Sequence, residues 1–220
     1  MISVAIDGPS GAGKSTLAKR LAKELGYLYV DTGAMYRSIG LYALRQGVDP
    51  KDEAAVTALL PQIQIELRYV DGAQRVLLCG EDVSEAIRAE NVGMATSAVS
   101  AHPPVRAFLL ELQRGMARTH DILMDGRDIG TVILPNASVK IFLTASAEAR
   151  ATRRFRELQE KGVDTDFETV LEDIRRRDYQ DSHRATAPLQ QAEDAVLVDT
   201  SEMDLEESFQ ALKSLILSRV

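Results

Sequence analysis

A glycine-rich segment near the N-terminus has the clearest chemical meaning in this chain. Residues 8–15, Gly-Pro-Ser-Gly-Ala-Gly-Lys-Ser, fit the pattern G-x-x-x-x-G-K-[ST] of a phosphate-binding loop. Its glycines allow positive φ, so successive backbone N–H groups can surround an anion at the positive end of the following helix. The Lys14 ammonium can then neutralise phosphate oxygens, and the Ser15 hydroxyl can reach Mg²⁺. We therefore predict a site for a nucleoside triphosphate formed by Gly8, Pro9, Ser10, Gly11, Ala12, Gly13, Lys14, Ser15 and Thr16.

A second candidate cluster follows the apolar run that ends at Asp125. A carboxylate at the end of a parallel strand is where such folds orient Mg²⁺ through water, so we predict a metal site formed by Ser15 and Asp125. Arg127 and Asp128 follow directly and would lie at the same edge of the sheet. Arg–Asp pairs at strand ends are often structural, and the spacing alone leaves that interpretation open.

Alternating apolar runs and helical periodicities predict the scaffold that positions these residues. The pattern favours an α/β fold with a parallel sheet, and Thr32 is predicted to cap the second helix. The last helix, from about residue 205, is predicted to pack back onto the sheet. The predicted strands are residues 2–6, 27–30, 122–125, 139–143 and 195–199.

One segment departs from this alternation. Apolar residues alternate with polar ones from Ile63 to Tyr69, Asp71-Gly72 is typical of a turn, and an extended run resumes at Arg75. We predict an inserted antiparallel piece followed by a helix over residues 62–102.

The composition and net charge limit which classes of partner the protein can bind. Of 220 residues, 45% are hydrophobic and 27% charged, with a net charge of −7, which argues against nucleic-acid polymers and anionic membranes as partners. The basic residues are 19 Arg and only 7 Lys, an excess that suits pairing with phosphate.

The cysteine and histidine residues indicate no disulfide or zinc site. Cys79 is the only cysteine, so no intrachain disulfide is possible, and none of His102, His120 and His183 pairs with it at a zinc-ligand spacing. No signal-peptide pattern and no apolar run of about 18 residues is present. We expect a cytoplasmic protein with no membrane partner.

A phosphate loop does not by itself choose a reaction. A GTP switch would need an Asn-Lys-x-Asp segment to read guanine, and no Asn-Lys pair occurs in the chain. A length of 220 residues suits a small-molecule kinase better than a large motor ATPase.

Five motifs lie in order along nearly the whole chain, at residues 6–14, 31–37, 80–84 leading to 87–88, 125–131 and 177–185. Together they resemble the motifs of the bacterial cytidylate kinases. The resemblance implies a P-loop kinase with a five-stranded parallel sheet flanked by helices, an inserted antiparallel monophosphate-binding region and a short lid.

The resemblance implies a reaction and a domain organisation. The reaction is transfer of the γ-phosphoryl group of ATP to CMP or dCMP with Mg²⁺, by a monomer. Residues 1–31, 103–149 and 167–220 would form the core, residues 32–102 the monophosphate-binding region, and residues 150–166 the lid.

The resemblance also implies roles for individual residues. Cytosine donates from its N4 amino group to Asp128, whereas uracil would present a carbonyl there, so the site would reject uracil. The spacing of Arg177, Asp181 and Arg184 would place all three on one helical face. The implied sets are Lys14, Arg127 and Arg184 for catalysis; Thr32, Arg37 and Arg127 for the acceptor phosphate; Ser97, Arg106 and Asp128 for the base; Arg177 and Asp181 for the sugar; Arg184 for the transferring phosphoryl or acceptor phosphate; and Arg153 and Arg156 for the lid.

Two other readings stay open at this point. One is a P-loop kinase for another acceptor, such as UMP, AMP or shikimate, which the hairpin and residues 80–84 argue against. The other is a nucleotide-binding regulator without turnover, which the presence of Lys14, Arg127 and Arg184 argues against.

Overall fold

The computed structural model describes residues 1–70 and 73–220 and forms two compact units. The first unit contains Met1–Tyr29 and His120–Val220, and the second contains Val30–Thr119. In chain order the elements are β1 (Ser3–Asp7), α1 (Lys14–Leu25), β2 (Leu28–Asp31), α2 (Thr32–Arg45), α3 (Glu53–Leu59), β3 (Ile65–Val70), β4 (Ala73–Leu78), β5 (Glu81–Asp82), α4 (Glu90–Val99), α5 (Pro103–Thr119), β6 (Ile122–Gly126), β7 (Val139–Thr144), α6 (Ala147–Glu160), α7 (Phe167–His183), β8 (Val196–Asp199) and α8 (Leu205–Leu217).

A five-stranded parallel sheet in the order β2-β6-β1-β7-β8 organises the first unit, which confirms the predicted fold class. Leu17 and Leu21 of α1 are buried in one apolar cluster with Phe209 and Leu212 of α8. These residues recur at helical spacing, so each helix has a single apolar face and buries it on the sheet. The predicted packing of the last helix onto the sheet is confirmed.

The register of the central strands aligns the ends that carry the candidate site. Ile6 pairs with Asp125, and Asp7 pairs with Gly126, in the parallel ladder between β1 and β6. Because both strands end at this level, the phosphate loop after β1 and the residues after β6 begin at the same edge of the sheet.

Packing of α2 against α4 organises the second unit. The two backbones approach so closely at Gly40 that a Cβ there would lie 3.1 Å from the Thr96 nitrogen. The predicted antiparallel piece is confirmed as the three-stranded sheet β3-β4-β5. The side-chain oxygen of Gln74, on β4, accepts a hydrogen bond at 3.1 Å from the amide of Asp31, the last residue of β2. The turn predicted at Asp71-Gly72 lies outside the described residues.

Two local predictions were wrong by one residue. The cap of α2 is Asp31, whose carboxylate accepts from the Ala34 amide at 3.0 Å, and Thr32 is the first residue of the helix. Helix α7 ends at His183, and Arg184 has extended backbone angles, so Arg184 does not share the helical face of Arg177 and Asp181. Asp31, next to Thr32, caps α2, and His183, next to Arg184, is the last residue of α7.

The boundaries of the two units differ from the boundaries of the predicted domains. Helix α5 belongs to the second unit, although residues 103–149 were predicted within the core. The functional labels of core, monophosphate-binding region and lid stay predictions. Among the residues that the structure describes, no helix is both long enough and apolar enough to cross a membrane.

Candidate nucleotide-binding site

The phosphate loop adopts the backbone conformation that its glycines predict. Gly8, Gly11 and Gly13 have φ values of 149°, 76° and 86°. At Gly8 the requirement is also steric, because a Cβ would lie 1.9 Å from the Leu143 carbonyl oxygen of β7. Gly13 precedes α1 and has no side chain with which to cap it. The first N–H groups of α1 are therefore not capped by a side chain at that position, an arrangement that suits an anion.

Lys14 lies buried at the start of α1. Its ammonium donates hydrogen bonds to the carbonyl oxygens of Gly8 and Pro9, both at 2.7 Å. Burial and the nearby guanidinium of Arg127 lower the pKa of Lys14 to about 7. Opposite charge would favour the ammonium, so a phosphate group arriving at this nitrogen would raise its pKa again.

The predicted metal residues lie in contact with each other. The Ser15 hydroxyl donates to one oxygen of the Asp125 carboxylate at 2.8 Å, and the Tyr29 hydroxyl donates to the other at 2.9 Å. Asp125 is buried, and its orientation is fixed by these two hydroxyl groups. A hydroxyl and a carboxylate oxygen side by side form a donor set that suits a hard divalent cation.

Asp7, the last residue of β1, fixes the segment that carries Arg127 and Asp128. Its two carboxylate oxygens accept from the amides of Ile129 and Gly130, at 2.8 and 2.7 Å. These amides begin a π-helical turn, Ile129–Ile133, directly after Asp128. Burial raises the pKa of Asp7 to about 6 although the two amides act in the opposite direction. Asp7 therefore fixes the backbone that directly follows Asp128.

Two ion pairs join the predicted acceptor-binding residues of the first unit. The Arg127 guanidinium donates to the Asp181 carboxylate at 2.8 Å. Arg184 lies 3.7 Å from Asp128 and donates to the Ala187 carbonyl. Desolvation by neighbouring groups and the charge of Arg127 lower the pKa of Arg177. The first unit thus gathers Lys14 and three predicted acceptor-site arginines with two carboxylates.

The predicted phosphate-binding residues of the second unit stand at the start of α2. Thr32 is buried there, and Arg37 lies one turn further along the helix. Arg37 is 3.6 Å from the Asp31 carboxylate. Its buried Nη1 atom has no hydrogen-bond partner among the described residues. An unsatisfied buried guanidinium N–H is costly, and an anion would remove that cost.

The two predicted base-reading residues of the second unit lie on neighbouring helices. Ser97 belongs to α4, and Arg106 to α5. Arg106 is buried, donates to the Ser100 carbonyl at 3.1 Å and stacks 5.5 Å from the ring centre of Tyr36 on α2. These contacts hold the guanidinium in one place within the unit.

The two predicted lid arginines differ. Arg153 donates to the carbonyl oxygens of Thr200 and Met203, whereas Arg156 is exposed on α6. Both lie on a regular helix that begins at Ala147. Contact of either side chain with phosphate stays a prediction.

Sequence reasoning missed four residues that hold the site together. Tyr29 and Asp7 act on residues about a hundred positions away, and the buried Arg150 forms an ion pair with the half-buried Asp178 beside the phosphate loop. The motifs contained Asp7 and Asp178, but their spacing gave no signal of these partners.

Comparison with known proteins matches nearly the whole chain to one family. A sequence model described as cytidylate kinase matches residues 4–217. A protein named cytidylate kinase from Enterococcus faecalis is 51% identical over 215 residues, covering 98% of this chain and 95% of its own. One of the same name from Caldicellulosiruptor bescii is 49% identical, covering 97% and 95%.

Solved structures share the fold at low sequence identity. A gluconokinase from Sinorhizobium meliloti 1021 aligns with a TM-score of 0.50 at 14% identity, covering 99% of this chain and 93% of its own. An uncharacterized protein from Eubacterium ventriosum aligns with a TM-score of 0.53 at 13% identity, covering all of both chains. The family match and the two close relatives lead to one conclusion: this chain belongs to the cytidylate kinase family.

Proposed function

We propose that the protein transfers the γ-phosphoryl group of ATP to CMP or dCMP, giving ADP and CDP or dCDP. Membership of the cytidylate kinase family supports this reaction, with ATP and a divalent metal. The observation that carries it is the buried Lys14 ammonium, which lies in the phosphate loop at the carbonyl oxygens of Gly8 and Pro9 and within a cluster of positive charge. Desolvation and, second to it, the charge of Arg127 lower the pKa of both Lys14 and Arg177, so Arg127 is within electrostatic reach of both. Such a cluster is stabilised when a polyanion binds.

We propose that the ATP phosphates bind at the phosphate loop and the start of α1. The positive φ values of Gly11 and Gly13 support this role because they let backbone N–H groups converge on an anion. Lys14 would exchange its bonds to the Gly8 and Pro9 carbonyls for bonds to phosphate oxygens. That exchange needs no movement of the helix, since only the ammonium end changes partner.

We propose that the divalent metal is Mg²⁺, which favours oxygen ligands such as those of Ser15 and Asp125. Ser15 would bind it directly and Asp125 through water. Within residues 1–70 and 73–220 no group of three His, Cys, Asp or Glu side chains could hold a metal. Phosphate oxygens and water would therefore supply the remaining ligands. When bound, the ion neutralises charge on the β and γ phosphates.

We propose that Thr32, Arg37 and Arg127 bind the acceptor phosphate. The buried Nη1 atom of Arg37, which has no hydrogen-bond partner among the described residues, supports this role. Ser97, Arg106 and Asp128 would read the base. The burial of Arg106 and Asp128 supports this, because a mismatched group would leave a buried polar atom unsatisfied.

The sugar and the transfer step involve the remaining arginines. Asp181 and Arg177 would bind the sugar hydroxyls, and Arg184 would contact the transferring group. An oxygen of the acceptor phosphate forms a bond to the γ phosphorus, the bond to the bridging oxygen breaks, and ADP leaves with its electron pair. No general base is needed because the attacking oxygen is already anionic. Catalysis is then positioning and charge neutralisation. A monomer in the cytoplasm is part of the same proposal.

The test is ADP release with ATP and Mg²⁺ across CMP, dCMP, UMP, AMP, GMP and shikimate. We expect the fastest turnover with CMP or dCMP. Faster turnover with another acceptor would favour a different P-loop kinase. No turnover with any acceptor would favour a nucleotide-binding regulator. Replacing Mg²⁺ with EDTA should abolish ADP release in every case.

A further inference from the structure

We propose that Arg150 is a positioning residue that fixes the phosphate loop and ties it to helix α7 through Asp178. The inference rests on the proposed phosphoryl transfer, because it concerns the loop assigned to ATP. No role for either residue follows from the motifs discussed above.

The contacts of Arg150 join three segments of the first unit. Its guanidinium donates to the Ser10 carbonyl within the phosphate loop at 3.0 Å and to the Ala145 carbonyl between β7 and α6 at 2.8 Å. It also makes two parallel bonds to the Asp178 carboxylate, at 2.9 and 2.6 Å. Bidentate pairing of this kind fixes both distance and orientation.

Arg150 is buried against the backbone of the phosphate loop. The side chain of Arg150 is only 5% exposed, and that of Asp178 is 27% exposed. A Cβ on Gly11 would lie 3.4 Å from the Cβ of Arg150, so the stem of Arg150 also packs against the loop backbone. All four donated bonds go to protein oxygens, so the guanidinium is held in place between the loop carbonyl of Ser10, the Ala145 carbonyl and Asp178.

Asp178 extends the connection to predicted acceptor residues. It follows Arg177 directly and lies three residues before Asp181 on α7, and Asp181 in turn accepts from Arg127. A displacement of α7 would therefore reach the phosphate loop through Arg150. The same two groups that orient the loop also orient the helix carrying Arg177 and Asp181.

The chain provides a matched control on the same two helices. Arg175 of α7 pairs with Glu148 of α6 at 2.8 Å, but both side chains are about 60% exposed. Among the described contacts this pair does not reach the phosphate loop. It therefore links α6 to α7 without touching the segment that binds ATP.

The test compares Arg150→Lys and Asp178→Asn with Arg175→Ala. We expect the first two to weaken ATP binding and to lower kcat with CMP, each by about 10- to 100-fold, because small misplacements at a reacting centre have effects of that size. Calorimetric titration with ATP alone gives the dissociation constant, and ADP release gives kcat. Arg175→Ala should leave both unchanged, and thermal melting should show all three variants folded.

A double variant separates positioning from direct contact. Among the contacts of the described residues, Asp178 is connected to the loop through Arg150, so Arg150→Ala/Asp178→Ala should bind ATP no more weakly than Arg150→Ala. Additive losses would overturn the proposal, as would wild-type ATP affinity in a folded Arg150→Lys or Asp178→Asn. Failure of the wild type to phosphorylate CMP would instead defeat the proposed function, and the ATP titrations would still test Arg150.

Discussion

The two units hold their site residues by different means. In the first unit charged and polar groups fix one another: Ser15 bonds to Asp125, and Arg127 to Asp181. In the second unit helix packing does most of this work, since α2 lies against α4 at Gly40. The difference indicates that loss of a charge in the first unit should change the chemistry with the fold intact. A packing defect in the second unit should first change stability.

The largest expected effect is loss of the Lys14 ammonium. Lys14→Ala should lower kcat by about 10²- to 10³-fold, because it removes a preorganised cation from the developing charge. Its hydrogen bonds end on two loop carbonyls, so the apolar core is untouched and the melting temperature should change little. ADP release and thermal melting measure the two effects. Near-normal turnover would contradict the assigned phosphate role.

A smaller but more specific effect is expected at Asp128. Asp128→Ala should lower kcat/KM for CMP by roughly 30- to 100-fold, the size of a lost hydrogen bond to a charged group. ATP affinity should change much less. Asp128→Asn can donate to uracil O4, so it should narrow the ratio of CMP to UMP turnover. An equal loss for CMP and ATP would mean that Asp128 is structural or serves the metal.

The corresponding test in the second unit introduces a larger side chain at Gly40, where α2 and α4 pack closely. Gly40→Val should destabilise the protein by about 1–3 kcal/mol, because its side chain would meet the backbone of α4. Gly115→Val is the control, since no atom lies within 4 Å of a Cβ there. Chemical denaturation compares the two variants. Equal stabilities would mean that the close approach of α2 and α4 does not depend on glycine.

The smallest expected effect is a pH dependence of ATP binding. The pKa of Lys14 is about 7 in the free protein, and bound phosphate would raise it, so ATP binding takes up a proton above pH 7. ATP affinity should therefore fall by up to roughly tenfold per pH unit between pH 7.5 and 9. Lys14→Arg should flatten this dependence because a guanidinium stays charged there. Calorimetry in two buffers of different ionisation enthalpy measures the proton uptake; equal uptake in both proteins would argue against Lys14 as its source.

Local patterns predicted the parts of the site that are contiguous in the chain. The phosphate loop and its following helix are one such segment, and the strand ending at Asp125 is another. Because the carboxyl ends of parallel strands meet at one edge of the sheet, Ser15 and Asp125 were predicted to belong to one metal site. The structure places them in hydrogen-bonding contact, and their role toward a metal stays a prediction. These predictions needed only the order of the elements.

The contacts that orient the site were not predictable in the same way. The bond from Tyr29 to Asp125 and those from Asp7 to the amides after Asp128 depend on the tertiary register. Arg150 carried no local signal that separated it from the solvated arginines around it. A charged residue looks the same in sequence whether it is solvated or buried beside a loop. Only the structure distinguishes Arg150 from Arg175.

The chain leaves the first unit after Tyr29 and re-enters it at His120, and this arrangement affects how the unit folds. The Leu28 amide donates to the Asp121 carbonyl at 2.8 Å, so the strands on either side of the second unit are neighbours. Joining them closes a loop of about ninety residues, which costs roughly 2 kcal/mol more in chain entropy than a six-residue turn would. If the second unit folds first, its two ends are already close and the entropy cost of closing the loop is smaller. The rate at which β2 pairs with β6 should therefore depend most on the intervening segment.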